Sequence, residues 1–269
     1  GLTSIDFNLR GPALSVESAC ASSSDGIGIA WLMIRAGLID AALAGGSDAS
    51  IVRMCVAALD RSGAMSRREG PHPQAPQPFD LDRDGFVIGE GAGVLVLESE
   101  QHARERGAMI LAELAGYGAS ADAFHITAPL EDGSGAAKAI RNALEVAGIT
   151  TDQVDHINSH GTGTRLNDIS ETLAIKSVFG DRAYDIPVCA TKSMTGHMMG
   201  TTAAVEAIFT VQSMIENVIP PTIHYNTPDP ECDLDYVPNE ARDANVEVAI
   251  SNAFGFGGHN SVLAFRRLR

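Results

Sequence analysis

The sequence is poor in aromatic side chains. Phe, Trp and Tyr make up 5% of its 269 residues, with a single tryptophan. This scarcity argues against an aromatic-rich β-sandwich, whereas 27 glycines suit close packing of helices on a sheet. With 45% hydrophobic and 20% charged residues, the chain can bury a large core. We therefore predict an α/β fold.

Basic residues are also scarce. Lys and Arg number 19 against 34 Asp and Glu, which gives a net charge of −15. A nucleic-acid interface needs clustered Lys and Arg, and only short basic groups such as Arg67-Arg68 and Arg266-Arg267 occur. We predict no nucleic-acid partner, and a polyanionic partner could dock only on a local patch.

Cysteines are few and widely spaced, at Cys20, Cys55, Cys189 and Cys232. They form no CxxC pair and no dense framework, which argues against a disulfide scaffold or a zinc knuckle. This usage favours a reducing cytoplasm and leaves the thiols free for chemistry.

Long apolar runs are absent too. No stretch approaches the roughly 20 residues that a membrane helix needs, so we predict no membrane partner. The start at Gly1 has neither a basic nor a hydrophobic region of a secretory signal. It also lacks methionine, so the missing signal is weak evidence about targeting.

Apolar periodicity predicts alternating strands and helices. Four prolines, Pro71, Pro73, Pro76 and Pro78, predict an irregular surface segment between them. The alternation implies largely parallel strand pairing with covered faces. The predicted strands are 13–18, 40–46, 85–97, 110–118, 154–158, 188–191, 246–252 and 260–265, and the predicted helices are 20–36, 52–59, 135–147, 168–178 and 200–216.

Cys20 is predicted to lie where a strand passes into a helix. The positive end of the helix dipole and its unpaired N–H groups lower the pKa of such a thiol. Its neighbours Ser18, Ala19, Ala21 and Ser22 are small, as a nucleophile on a tight turn requires. A buried structural cysteine is an equally good interpretation at this point, because free Cys is commonly buried.

His160 ends a predicted strand and enters the loop Gly161-Thr162-Gly163-Thr164, whose glycines permit close approach of a ligand and whose hydroxyls can bind one. His156 lies four residues earlier. A metal pair is conceivable, yet no third ligand follows at a metal-binding spacing. We predict no metal.

A third polar group surrounds a predicted helix start: Lys192, His197 and, on the helix itself, Glu206. A solvated Lys at a helix terminus would be the simplest interpretation. However, the helix is apolar after Gly200, so Glu206 is expected to be semi-buried and to need a partner, for which Lys192 is available.

Two glycine-rich segments have different interpretations. The segment Phe254-Gly255-Phe256-Gly257-Gly258 could be only a turn, or it could present a main-chain N–H to an oxyanion. Gly89-Glu90-Gly91-Ala92-Gly93 precedes no suitable phosphate-binding helix, so we favour strand packing there.

Four blocks taken together resemble, in order, the signatures of elongating β-ketoacyl-[acyl-carrier-protein] synthases. The resemblance runs from Leu14 to the C-terminus and includes Asp82-Arg83-Asp84-Gly85-Phe86. The blocks are Ser18-Ala19-Cys20-Ala21-Ser22-Ser23, His160-Gly161-Thr162-Gly163-Thr164, Lys192-Ser193-Met194-Thr195-Gly196-His197 and Asn252-Ala253-Phe254-Gly255-Phe256-Gly257-Gly258.

This resemblance implies the thiolase-like fold, a five-layered α-β-α-β-α sandwich of two similar halves. In that family well over a hundred residues precede the cysteine, whereas nineteen precede Cys20. We expect the first strands of the N-terminal half to be missing from this chain. Residues 1–107 would then be the C-terminal part of the N-terminal half, which contains the nucleophile. Residues 108–269 would be the C-terminal half, which contains both histidines.

The resemblance also implies roles. Cys20 would carry the acyl chain, with the N–H groups of Cys20 and Phe256 as the oxyanion hole. His160 and His197 would assist decarboxylation of malonyl-carrier protein, supported by the Lys192–Glu206 pair. Thr162, Thr164, Phe254 and Phe256 would bind the substrate, and Asp168 would order the loop. The chain would bind no cofactor of its own, because 4′-phosphopantetheine arrives on the acyl-carrier protein.

The pair of histidines favours decarboxylating elongation over initiating synthases, which use His and Asn, and over degradative thiolases, which use a second Cys. The segments around Asn167 and Pro228 resemble both fatty-acid enzymes and aromatic-polyketide ketosynthases. Cys20 indicates a condensing subunit rather than a chain-length factor. The alternatives are a thiolase-like acyltransferase or hydrolase, and a non-catalytic fragment acting as a partner subunit. We expect a homodimer, or a heterodimer with another ketosynthase-fold chain.

Overall fold

A computed structural model describes residues 1–69 and 74–268 of the protein. Pro71 and Pro73 of the predicted irregular segment lie outside the described residues. Pro76 and Pro78, which follow them, belong to no helix or strand.

The described residues form alternating helices and strands, as the periodicity predicts. The helices are α1 (Leu2–Asp6), α2 (Ser22–Arg35), α3 (Arg53–Arg61), α4 (Glu100–Glu105), α5 (Ser134–Ala147), α6 (Arg165–Phe179), α7 (Lys192–Thr195) and α8 (Thr202–Glu216). The strands are β1 (Ala41–Asp48), β2 (Gly91–Glu98), β3 (Glu113–Ala121), β4 (His156–Asn158), β5 (Val188–Cys189), β6 (Val218–Ile219), β7 (Arg242–Asp243), β8 (Val248–Gly255) and β9 (His259–Arg266).

The largest sheet has the strand order β3-β9-β8-β4-β5. Its pairing is mixed, so the prediction of largely parallel strands is wrong. Only β4 runs parallel to its neighbours β5 and β8, whereas β9 is antiparallel to both β8 and β3. The cause is the predicted glycine-turned hairpin, which is confirmed: Gly257 and Gly258, both at positive φ, turn β8 directly back into β9.

The two faces of this sheet bury different side chains, which alternate along each strand. Val248 and Ile250 belong to a core cluster with residues of α5 and α6. Leu263 and Phe265 face the opposite way, into a cluster with residues of α2 and α8. Leu95 of β2 packs against this second cluster from its far side. The described residues therefore form four successive layers, α-β-α-β, of the predicted α-β-α-β-α order.

The outer layer is the two-stranded antiparallel sheet of β1 and β2. Its outward side chains Leu43, Val94 and Val96 are 41–64% exposed. The strand predicted at 13–18 is not found, because no described strand pairs with that mostly exposed segment. The predicted boundary between residues 107 and 108 stays a prediction. In the described part of the chain, no helix is long and apolar enough to cross a membrane.

Candidate active site

Cys20 lies in a single 3₁₀ turn, Ala19–Ala21, that leads directly into α2. The predicted helix therefore begins two residues later than expected. Ala19 has φ of +51°, a left-handed conformation that is strained for a residue with a Cβ. The turn of Gly255 packs against it so closely that a Cβ on Gly255 would lie 2.7 Å from the Ser18 carbonyl oxygen. Glycine at position 255 thus brings the Phe256 backbone next to Cys20.

His197 is the side chain in direct contact with this thiol. It follows α7, and its backbone N–H donates to the Val87 carbonyl, 2.7 Å away. The ring nitrogen Nε2 lies 3.1 Å from Cys20 Sγ, and Nδ1 lies 3.0 Å from Thr202 Oγ1. The Thr202 hydroxyl therefore fixes the plane of the ring that faces the sulfur.

His160 stands at the carboxyl end of β4, with its ring centroid 5.5 Å from that of His197 in an edge-on arrangement. The Glu171 carboxylate holds the start of this loop, accepting hydrogen bonds of 2.8 Å from the backbone N–H groups of His160 and Gly161. Asn252 donates to the same carboxylate at 3.0 Å. Sequence reasoning missed Glu171, although a Glu inside an otherwise buried helix face is the signal that could have found it.

Both histidines are buried, which lowers the pKa of each well below the ordinary value. The positive charge of Lys192 acts in the same direction on both. Each ring is therefore neutral at neutral pH and can donate through one nitrogen while it accepts through the other.

The predicted lowering of the Cys20 pKa is wrong. Burial raises the pKa of this thiol, and burial outweighs the opposing hydrogen bonds from the Phe256 and Cys20 backbones and the charge of Lys192. The resting group is therefore a thiol rather than a thiolate. A nucleophile of this kind needs a base within reach, and His197 is the nearest one.

Lys192 and Glu206 form the predicted pair. Lys192 Nζ lies 2.8 Å from both Glu206 carboxylate oxygens, and each side chain is 1% exposed. Thr191 Oγ1 also donates to Glu206, at 3.1 Å. Burial raises the pKa of Glu206 to about 7 even with this partner.

Breaking this pair is expected to destabilise the protein strongly. Lys192→Met should lower the free energy of unfolding by about 3–5 kcal/mol, because it leaves an uncompensated buried carboxylate. The double change with Glu206→Gln should recover much of that loss. Chemical denaturation measures both. The control is Lys176→Met, which removes the more exposed pair with Asp233 and should cost about 1 kcal/mol or less. Equal losses for the two lysines would contradict this expectation.

A cavity of about 890 Å³ joins the groups. Three of the predicted site residues are not among the described residues that line this cavity: Lys192, Glu206 and Asp168. They stand behind the residues that line it. Its walls include seven of the predicted site residues: Cys20, His160, Thr162, Thr164, His197, Phe254 and Phe256.

Thr162 and Thr164 are brought together at the cavity wall, with their hydroxyl oxygens 2.9 Å apart. Behind them the buried Asp168 carboxylate accepts hydrogen bonds from the Phe79 and Gly163 backbones and faces Arg83 at 3.6 Å. It thereby ties this loop to the segment that follows the prolines. Phe254 lies with its ring centroid 5.9 Å from that of His160.

His156 does not join the site. Its Nδ1 lies 3.0 Å from the Pro187 carbonyl oxygen and its Nε2 lies 3.6 Å from Cys189 Sγ, both within the core. In residues 1–69 and 74–268, no group of three or more His, Cys, Asp or Glu is placed to hold a metal ion.

The glycines at 89–93 serve close packing, as predicted. A Cβ on Gly89 would lie 2.6 Å from the Thr195 carbonyl oxygen, and one on Gly93 would lie 3.0 Å from the Val205 nitrogen. These contacts press β2 and the residues before it against α7 and α8, which carry the Lys192–Glu206 pair.

Two family models match the chain. The model of the β-ketoacyl synthase N-terminal domain matches residues 1–103, and that of the C-terminal domain matches residues 111–226. Among curated proteins, the 3-oxoacyl-[acyl-carrier-protein] synthase 2 of Synechocystis sp. is 48% identical over 267 residues, and that of Staphylococcus aureus is 47% identical over 267 residues. The chain is matched over 99% of its length and spans 64% of these relatives.

Solved structures agree on the fold. A type II polyketide ketosynthase in complex with its acyl-carrier protein and bound to the hexaketide superposes with a TM-score of 0.97 at 40% identity, over 100% of this chain and 66% of that one. A β-ketoacyl synthase from Burkholderia phymatum gives 0.94 at 40% identity, over 99% and 64%. The ishigamide ketosynthase/chain length factor gives 0.91 at 42%, over 99% and 64%. The predicted thiolase-like α/β fold is thus confirmed.

Proposed function

Because the chain belongs to the β-ketoacyl synthase family, we propose that it catalyses decarboxylative Claisen condensation. In this reaction a malonyl-carrier protein and a cysteine-bound acyl chain give a 3-ketoacyl-carrier protein.

One observation carries the proposal: a cysteine, two neutral histidines and an oxyanion donor converge on one cavity. Cys20 Sγ lies 3.1 Å from His197 Nε2, and the ring of His160 lies beyond it. The Phe256 N–H is hydrogen-bonded to Cys20. A hydrolytic triad needs only one histidine, so the second one supports a reaction with a second charge to stabilise.

The first half-reaction is acyl transfer to Cys20. The thiol gives its proton to His197 Nε2 as Sγ attacks the thioester carbonyl of the acyl-carrier protein. The Phe256 and Cys20 N–H groups stabilise the resulting oxyanion. Collapse breaks the original C–S bond, and the departing pantetheine thiolate takes the proton back from His197. His197 is neutral again when the second substrate enters.

The second half-reaction is condensation. The C–C bond to the malonyl carboxylate breaks, and its electron pair moves into an enolate as CO₂ leaves. Neutral His160 donates a hydrogen bond to the enolate oxygen. His197 donates a second one from the tautomer that carries its proton on Nε2, which is possible because the Thr202 hydroxyl can donate to Nδ1 as well as accept from it. Buried His160 Nδ1 has no hydrogen-bond partner among the described residues, which favours the tautomer that carries its proton on Nε2. The enolate carbon then attacks the acyl group, the C–S bond to Cys20 breaks, and the leaving Cys20 thiolate takes up one proton from solvent.

The remaining site residues support this chemistry. Lys192 and Glu206 pack behind the histidines. Burial keeps both rings neutral, and the charge of Lys192 acts in the same direction. The paired hydroxyls of Thr162 and Thr164 lie on the cavity wall, where they can bind the amide groups of the pantetheine arm.

The partners we propose are an acyl-carrier protein, which brings the 4′-phosphopantetheine, and a second ketosynthase-fold chain in a homodimer or heterodimer. Some solved neighbours are ketosynthases in complex with a carrier protein or with a chain length factor. The exposed apolar side chains Leu43, Val94 and Val96 support a covering polypeptide on the outer sheet. We place the protein in the cytoplasm, as its cysteine usage indicates.

The test is to supply the protein with octanoyl-carrier protein and malonyl-carrier protein and to analyse the products by mass spectrometry. We expect 3-ketodecanoyl-carrier protein and one CO₂ for each molecule formed. Release of free octanoate without consumption of malonyl groups would instead identify an acyltransferase or hydrolase. No reaction of Cys20 with the acyl donor would identify a non-catalytic partner subunit.

A further inference from the structure

The carboxylate of Asp25, in the first turn of α2, has no role in the chemistry above. It accepts a hydrogen bond of 2.5 Å from Ser18 Oγ and one of 2.8 Å from the Tyr117 hydroxyl. Ser18 lies two residues before Cys20, whereas Tyr117 belongs to β3 of the five-stranded sheet. We call these three residues the Asp25 clamp. It joins the nucleophile turn to a sheet strand 92 positions from Asp25 in sequence.

Each end of the clamp is fixed in place. The Tyr117 ring packs so closely against α2 that a Cβ on Gly28 would be 2.4 Å from the ring. Burial, together with the Asp25 charge, raises the pKa of Tyr117. The phenol therefore stays protonated and donates a hydrogen bond to Asp25. At the other end, Ser18 is only 6% exposed.

The turn that carries Cys20 needs such a restraint. The positive φ of Ala19 is strained, and a strained conformation persists only where its surroundings enforce it. Ser22 Oγ accepts from the Ser18 N–H at 2.9 Å and donates to the Ala19 carbonyl at 2.7 Å. These bonds lie within the turn and move with it. The clamp instead links the turn to the large sheet, whose strand β8 also leads to Phe256.

We propose that Ser18, Asp25 and Tyr117 are positioning residues, which hold Cys20 Sγ in register with the Phe256 N–H and His197 Nε2. Their catalytic consequence rests on the proposed function, whereas the restraint on the turn does not. Because acyl transfer depends on the alignment of sulfur, carbonyl and oxyanion donor, a small displacement of the turn lowers its rate. Alkylation of the same thiol also needs its deprotonation but forms no oxyanion, so it depends less on this alignment.

Two variants remove the clamp from opposite ends, Tyr117→Phe and Ser18→Ala. Hydrogen-exchange mass spectrometry of the peptide around residues 18–23 should show exchange at least about 3-fold faster in both, because the turn loses its link to the sheet. Acylation of Cys20 by octanoyl-N-acetylcysteamine should fall by about 3- to 10-fold. Its alkylation by iodoacetamide, mapped to the Cys20 peptide, should fall by a smaller factor than its acylation. The double variant should show about the same exchange and acylation rates as either single variant, since both changes act through Asp25.

Trp31→Phe is the matched control. Trp31 Nε1 donates to the Leu114 carbonyl at 2.6 Å, so this variant also removes a hydrogen bond between α2 and β3, but at the other end of the helix. It should change neither the exchange of residues 18–23 nor the ratio of acylation to alkylation. Equal effects in Trp31→Phe, or unchanged exchange in both clamp variants, would overturn the proposal. If octanoyl-N-acetylcysteamine does not acylate the parent protein, the proposed function fails, and the exchange comparison still decides whether the clamp exists.

Discussion

Replacing Cys20 with alanine is expected to abolish covalent acylation of the protein. The change removes the sulfur that lies 3.1 Å from His197 Nε2 on the cavity wall. Cys189 also contacts a histidine, His156 at 3.6 Å, but both are buried in the core and do not line the cavity. After incubation with octanoyl-carrier protein, intact-mass spectrometry should detect the acyl adduct on the parent protein and none on Cys20→Ala. Condensation should be lost with it, because the enolate then has no acyl group to attack.

Cys55→Ala provides the control for this experiment. Cys55 is a partly exposed thiol on α3, and its loss should leave acylation unchanged. Cys189 and Cys232 are buried, and burial raises the pKa of both thiols. Acyl groups mapped to Cys55, Cys189 or Cys232 in the Cys20→Ala protein would disprove the assignment of the nucleophile.

The alternation of elements could be read from the sequence, whereas the sheet pairing could not. The periodicity of α5 and α8 and the glycine turn between β8 and β9 are local properties, and their predicted positions agree with the structure to within about two to four residues. The antiparallel neighbours of β9 and β2 depend on which strands meet across the chain, and nothing local determines that. The apolar pattern predicts a strand at 13–18, yet a strand also requires a neighbour to pair with.

Part of the candidate site, too, could be predicted from the sequence and part could not. Cys20, His160 and His197 lie in short blocks that are informative by themselves, and the structure brings all three to one cavity. The sequence did not predict a role for three residues, Glu171, Thr202 and Asp25. Each of them acts through a contact that only the folded chain brings about. The Cys20 pKa was predicted in the wrong direction, since the effect of a helix terminus is local whereas burial is set by the whole fold.

Replacing each of the two histidines is expected to affect the two half-reactions differently. His160→Ala should lower decarboxylation of malonyl-carrier protein by about 100-fold or more, the lower range for removal of an acid-base group. It should leave acylation of Cys20 measurable, because the contact with the thiol is made by His197. His197→Ala should lower decarboxylation similarly and should slow acylation as well, since no neutral base then lies beside a thiol whose pKa is raised. Release of CO₂ and acylation measured by mass spectrometry report the two steps independently.

His156→Ala is the matched control for this pair. His156 belongs to the same strand that leads to His160, and it is equally buried, but its ring contacts Pro187 and Cys189 in the core. Loss of this imidazole should affect thermal stability more than the ratio of the two half-reactions. If His160→Ala slowed acylation and decarboxylation by the same factor, as a variant with a damaged fold would, His160 could not be the group that stabilises the enolate. If only decarboxylation fell, the second histidine would be the feature that makes this site a condensing one rather than a simple acyltransferase.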